Sequence, residues 1–401
     1  MSAQNRMSKE NTVDSIPTSV PDKYHQEFEL FLKKNGWNEK ICPTCDQCFY
    51  AKKIQQGCGD STCSGNFEFL DDDRKEKTIS LHDTNVAFRN YFLENGFSSH
   101  SAKSILNENG TTLFTSAGVQ VLDNCILRNG EAPTDSIIVS QPSLRTQYAD
   151  SIGEGNSLSF VNICTETANA TPEVHFQNLD KWLGFLSKLG VYVGDLTLHK
   201  RNLVQKWGEM TVQSDIVAIF YKGLEIGDGN YNYGFNPEPS SIKTVSDFGF
   251  GLERLTWILR KGSYFDAIGP LTESLNGDNK VQEIVKTVAL LASSGLTPSN
   301  KDKGYRFRLF TKKLVELSFP KHLQLSHLID HYHKYWNDFV NLPVESNSAS
   351  ESVQGEYDRN YNLQLNKVLL TNVDANCNTE QFLLNLLSSG VKRDDIGHIY
   401  K

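Results

Sequence analysis

The chain has 401 residues and a formal charge of −8, with 40 Lys and Arg against 48 Asp and Glu. Its length predicts two or three domains with ample material for a core, and its 38% hydrophobic content excludes collagen, a continuous coiled coil and wholesale disorder. No run reaches the ~18 apolar residues of a bilayer span, and the polar N-terminus has no apolar signal core, so a cytoplasmic protein with no membrane contact is the expectation. Net acidity argues against non-specific coating of nucleic acid.

Residues 1–22 are polar, carry Pro17 and Pro21, and read as a disordered arm. Residues 23–36 space Phe28, Leu30, Phe31 and Leu32 as a helix ending at Gly36. A Cys-rich stretch follows, then the charge run Asp71–Lys77, which reads as a solvated linker. Residues 80–96 form a second amphipathic helix, supported by Val86, Phe88, Tyr91 and Phe92 and by Gly96 at its end.

From about 112 to 255 short β-rich runs alternate with Gly, Asn and Pro: TTLFTSAGV, SIIVSQ, SLSFVNI, DIVAIFY and SIKTVSDFGF. One helix interrupts them, near 176–190. This pattern predicts an α+β fold, an antiparallel sheet with inserted helices rather than strict βαβ alternation. After Gly251 the chain reads as helical. Residues 343–360 are Ser-, Asn- and Glu-rich and read as a linker before a short helical tail. The domain reading is therefore a Cys-rich extension (1–77), a sheet domain (78–270), a helical domain (271–342) and a linker with tail (343–401).

Several fingerprints fail. There is no P-loop, no G-x-S-x-G and no H-E-x-x-H. Gly249-Phe-Gly251 opens a dinucleotide pattern, but Arg254 stands where its third glycine belongs. His327 and His331 share a helix face without a third ligand in reach, and read as a solvated face.

The informative segment is Ser246-Asp-Phe-Gly-Phe-Gly-Leu-Glu-Arg-Leu255. It reads as a strand running straight into a helix. The glycines let a flat ligand lie against the backbone. Arg254 then offers a fixed guanidinium that can stack on a purine and pair with phosphate. Asp247 adds a carboxylate at the same sheet edge.

That segment resembles motif 3 of the class II aminoacyl-tRNA synthetases, and its alanyl members in particular. Four further segments match the same family in the same order: Thr112–Gln120, the motif 2-like Ser140-Gln-Pro-Ser-Leu-Arg145, Ile219–Ile226, and Thr297-Pro-Ser-Asn-Lys-Asp-Lys-Gly-Tyr305. The resemblance implies a class II synthetase-type antiparallel sheet flanked by helices and followed by an all-helical domain. It further implies activation of an amino acid, alanine by family default, with ATP and Mg2+, and transfer to tRNA. The chain reads as a short form without the family's editing and C-terminal domains.

By the same resemblance, Arg145 grips the α-phosphate and the substrate carboxylate. Arg254 holds the γ-phosphate and lies over the adenine, with Phe160, Gly249, Gly251 and Glu253 completing the ATP site. Asp247 accepts the α-ammonium, Trp207 lies against the small side chain, and Glu225 and Asp228 are candidates near Mg2+. Departures fall in the amino-acid pocket. Asn162 replaces a Glu, Gly208–Asp215 stands as a shortened loop, and Gly227 and Asp228 replace Trp and Asn. Gly227 is expected to enlarge the pocket, and Asp228 to favour an extra positive group there.

Residues 301–321 carry Lys301, Lys303, Arg306, Arg308, Lys312, Lys313 and Lys321 against Asp302 and Glu316. The family resemblance places a tRNA acceptor stem against this region; the alternative is a solvated helix face. Cys42-Pro-Thr-Cys45 with Cys58 and Cys63 has spacing suited to structural zinc, leaving Cys48 spare. Reduced free thiols are the alternative, and Cys125, Cys164 and Cys377 read as buried small hydrophobes. Two other functions stay open: acyl transfer to a carrier protein or small metabolite, and a non-catalytic paralogue that binds tRNA.

Overall fold

The computed structural model describes residues 19–268, 279–317 and 324–373, apart from positions 56, 109, 111 and 154. The N-terminal arm up to residue 18, Lys321, Cys377 and the tail beyond 373 lie outside the described residues.

Helix α1 (Ser19–Asn35) buries Tyr24, Phe28, Phe31 and Leu32 along one stripe, then hands over to the hairpin β1 (Asn38–Ile41) and β2 (Cys48–Ala51). A one-turn helix α2 (Ser61–Ser64) is capped by Asp60. Helix α3 (Leu81–Glu94) starts at a capping box, in which Ser80 and Asp83 satisfy each other's backbone N–H groups. After β3 (Ser98–Ser99) and α4 (Asp123–Arg128) comes the pair β4 (Ile137–Leu144) and β5 (Ser159–Ala168). Helix α5 (Pro172–Leu189) follows, opened by Thr171 and Pro172 and closed by left-handed Gly190. Then come β6 (Leu196–Trp207), β7 (Met210–Tyr221), β8 (Leu224–Asn236), β9 (Val245–Gly251) and α6 (Leu252–Arg260). Helices α7 (Asn279–Ser293), α8 (Asp302–Glu316), α9 (Leu325–Asn337) and α10 (Ser346–Val373) complete the described chain.

The strands form one nine-stranded sheet, ordered β1-β2-β6-β7-β8-β9-β5-β4-β3, antiparallel throughout except for the short β3–β4 pair. Its two faces are assigned by the period-two alternation of β9. Phe248 and Phe250 point to the helix side, where His175 stacks on Phe248 (4.7 Å) and Trp182 on Phe250 (4.1 Å). Asp247, Gly249 and Gly251 point to the opposite face. The sheet thus buries α1, α3 and α5 on one side and leaves a concave polar face on the other. Helix α7 is buried from Val281 to Ser293 among α8, α9 and α10 and forms the axis of the all-helical region.

Four local readings need correction. Thr112–Gln120 is a loop ending in a 3-10 turn, because the Gln120 side-chain oxygen accepts from the N–H groups of Ser116 (2.6 Å) and Ala117 (3.1 Å) and bends the chain. Gly208–Asp215 is not a reduced loop: only Gly208 and Glu209 turn, inside the long β6–β7 hairpin. Asp71–Lys77 is a bound strap. Lys222 (2.8 Å) and Lys261 (2.6 Å) both pair with Asp72, while Arg74 and Lys77 donate to the carbonyls of Ile258 and Leu189. Finally, residues 346–360 are helical. Ala349, Val353 and Tyr357, four residues apart, make a narrow buried stripe that polar composition conceals.

Candidate active site

The concave face encloses a cavity of about 420 Å³. Arg145, Asp247 and Arg254, far apart in sequence, all line it. Arg145 leaves the end of β4. Its Nε donates to the Ser116 carbonyl (3.3 Å), and its guanidinium lies 4.9 Å over the Phe160 ring. Arg254, in the first turn of α6, is fixed by two backbone acceptors, the carbonyls of Gly155 (2.9 Å) and Glu225 (2.7 Å). Both guanidinium groups are therefore held before any ligand arrives, which lowers the ordering cost of binding an anion.

Gly249 sits between these groups. A Cβ there would fall 2.9 Å from the Asn162 side-chain oxygen, so a larger residue on the floor of the cavity would displace the Asn162 amide. Gly251 has ordinary clearance from Arg254. Gly227 does not enlarge the cavity. Its missing side chain would point through the sheet into the Phe250 ring, 2.4 Å away, so this glycine serves core packing.

Glu253 is fully buried, and its carboxylate is already engaged. It accepts from the Val161 N–H (3.0 and 3.1 Å) and from the Tyr335 hydroxyl (2.9 Å). Glu283 of α7 does the same one step earlier in β5, accepting from the N–H groups of Leu158 and Ser159, both at 2.8 Å. Two acids from helices thus hold the backbone on either side of Phe160. Burial raises both carboxyls, and Lys286, itself 2.9 Å from Glu283, opposes that rise.

At the other end, Asp228 of β8 and Asp247 of β9 share the floor. Burial pushes Asp228 up to about 6, helped by the Glu225 charge and opposed by Arg145. Burial pushes Asp247 up to about 7, helped by Asp228 and opposed by Glu166 and Arg145. Glu166 faces Asp247 across the β5–β9 register, and burial together with the Asp247 charge holds its carboxyl well above the usual carboxylate range. Sequence reading missed Glu166; the signal was its place four residues beyond Asn162 on the same face of β5. Trp207 lines the cavity at the end of β6, with its ring edge-on to Phe235 and its Nε1 donating to Gln205 (3.2 Å). Glu225 is paired with Arg201 (3.4 Å).

The basic residues of α8 are not brought to this cavity. Lys303 donates to the Leu106 carbonyl, Lys313 pairs with Asp150 (2.6 Å), Arg308 with Glu356 (3.4 Å) and Lys312 with Glu316 (2.9 Å). Lys301 and Arg306 have no acidic partner among the described residues.

The sulfurs of Cys42, Cys45, Cys58 and Cys63 lie within 4.8 Å of one another. Tetrahedral zinc at a Zn–S distance of about 2.3 Å requires sulfurs about 3.8 Å apart, so this set closes on a metal with small adjustments. Cys48 lies outside the cluster, exposed on β2. Burial alone would raise the Cys42 thiol, but N–H groups of Thr44, Cys45 and Cys58 bring it down to about 6, favouring the thiolate that a metal needs. The Cys58 carbonyl accepts from Thr197 and His199, both at 2.6 Å, which anchors the cluster on β6.

No family model matches the chain. Curated proteins do. The alanine–tRNA ligase of Sulfurisphaera tokodaii is 23% identical over 424 residues, covering 86% of this chain and 46% of that protein. The ligase of Saccharolobus islandicus (strain M.14.25) is 21% identical, covering 83% and 45%, and that of Korarchaeum cryptofilum 21%, covering 82% and 44%. The open, mostly antiparallel sheet followed by a helical region is the architecture that the resemblance to the class II aminoacyl-tRNA synthetases implies. Within that class the chain is similar to the alanine–tRNA ligases, over less than half of their length.

Proposed function

We propose that this chain activates an amino acid with ATP and transfers the acyl group to tRNA. The observation that carries the reading is the convergence of Arg145, Asp247 and Arg254 on one cavity. Asp247 takes the α-ammonium. Arg145 lies between the substrate carboxylate and the α-phosphate. The carboxylate oxygen attacks that phosphorus, and the bond to the β-phosphate oxygen breaks as pyrophosphate leaves. Arg254 holds the departing end, and Mg2+ bound to the phosphates supplies further charge neutralisation. Gly249 offers a flat surface for the base, beside the Phe160 ring that Arg145 overlies. Glu253 acts from beneath, through Val161, rather than on the nucleotide. Cys42, Cys45, Cys58 and Cys63 hold a structural zinc.

Transfer to an acceptor other than tRNA is favoured by one observation: most α8 cations are consumed by internal partners. Amino-acid-dependent exchange of labelled pyrophosphate into ATP tests the activation step; silence across the twenty standard amino acids and the short diamino acids rejects it. A salt-dependent gel shift with tRNA, weakened in Lys301→Ala/Arg306→Ala, tests the acceptor.

A further inference from the structure

The amino-acid end of the cavity holds more acid than the reaction uses. Two carboxyls, Asp228 and Asp247, line the cavity with the guanidinium of Arg145, and Glu166 stands behind Asp247 across the β5–β9 register. The α-carboxylate of a substrate would occupy Arg145, and its α-ammonium would occupy Asp247. Burial and the Asp247 charge raise Glu166 and favour its neutral form. Asp228 then faces the cavity with the side-chain amide of Asn230 as its hydrogen-bond donor (2.9 Å).

The surroundings are built for a polar guest. Asn232 lines the cavity and is 1% exposed, and its amide nitrogen has no acceptor in the protein. Glu166 is also 1% exposed, and no protein N–H or hydroxyl donates to either of its oxygens. Buried polar groups without partners are costly unless a ligand or water completes them. A methyl side chain would complete none of them.

The spacing fits a second charge. Asn230 pairs with Asp247 in the β8–β9 register, and Asp228 is two residues along β8 on the same face. Diagonal neighbours of this kind lie about 7–8 Å apart at Cα and closer at the side chains. That is the reach between the two nitrogens of a short diamino acid once each carboxylate's hydrogen bond is allowed for.

We propose that the amino acid taken by this cavity carries a second ammonium on a short side chain, with Asp247 holding the α-ammonium and Asp228 the other. The inference rests on the amino-acid-activating reading above, and it names the substrate class of that site. Asp228 is the specificity-determining residue, and alanine is the poorer substrate.

Calorimetric titration of the full chain, without ATP, tests it independently of catalysis. The probes are 2,3-diaminopropionate, 2,4-diaminobutyrate, ornithine, lysine and alanine. One of the two shortest diamino acids should bind at least about tenfold more tightly than alanine, and Asp228→Asn should remove that advantage. Pyrophosphate exchange should show the same order. If alanine binds as tightly as the short diamino acids to the unmodified chain, the inference is overturned, whatever the variant does. If diamino acids bind but drive no exchange, the inference stands and the adenylation reading falls. If alanine drives exchange and no diamino acid binds, the reverse holds.

Discussion

The hydroxyl of Tyr335, on α9, donates at 2.9 Å to the carboxylate of Glu253, the residue immediately before Arg254. Through this bond the helical region touches the backbone that presents both Arg254 and, by way of Val161, Phe160. Tyr335→Phe removes one of the donors to a fully buried carboxylate. The expected cost is about 1–3 kcal/mol in urea unfolding. In exchange kinetics, KM for ATP should rise severalfold with a smaller change in kcat, since positioning rather than chemistry is disturbed. An unchanged KM with lowered stability would reduce the bond to a purely structural one.

The cysteine cluster predicts one zinc per chain. Cys58→Ser should lose the metal and Cys48→Ser should keep it, measured by metal analysis of the purified proteins. Chelation should destabilise by several kcal/mol. It should also reach beyond the β1–β2 hairpin. The segment after Cys63 carries Phe67 and Phe69, whose rings pack 5.0 and 4.8 Å from Trp257 on the helix that holds Arg254. Hydrogen exchange in residues 58–69 should therefore accelerate when zinc is removed.

The strap at Asp72 predicts a defined acid sensitivity. Burial alone would raise its carboxyl, but Lys222 and Lys261 bring it down to about 2. A depressed folded pKa means stability that is present above the unfolded value near 4 and lost as pH falls toward 2. Asp72→Asn should thus be less stable than the unmodified chain at pH 7, by about 1–2 kcal/mol after solvent screening. The difference between the two should shrink between pH 4 and 2. A difference that does not vary over that window would remove the charge from the account.

How far these features were legible in the sequence depended on what reveals them. The face assignment of β9 was written in the alternation of Phe248 and Phe250 with Asp247, Gly249 and Gly251, and the four zinc-spaced cysteines were evident from spacing alone. The strap was not, because a run of charges looks solvated until Lys222 and Lys261, more than a hundred residues away, are folded onto Asp72. Gly227 was misread because its face depends on register with Phe250, which local pattern does not give. Glu166 escaped notice for the same reason: an acid in a strand gains meaning only from the acid placed opposite it.

Asp247 supplies the last test, because its two roles pull in opposite directions. Its carboxyl is raised to about 7 by burial and by Asp228. A raised folded pKa means that the empty protein binds more protons than the unfolded chain between about pH 4 and 7. Stability therefore falls as pH rises through that window, and the full penalty persists above it. Asp247→Asn removes the penalty, so the variant should melt at a higher temperature than the unmodified chain at pH 8, with the gap closing as pH is lowered toward 4. The same variant should lose pyrophosphate exchange, since an amide cannot balance an ammonium. Ammonium binding needs the ionised carboxylate, so amino-acid affinity in the unmodified chain should strengthen from pH 5 to 8, with proton release visible as a buffer-dependent heat of binding. A variant destabilised at pH 8, or an affinity flat across that range, would show that Asp247 carries no unpaired charge in the empty cavity.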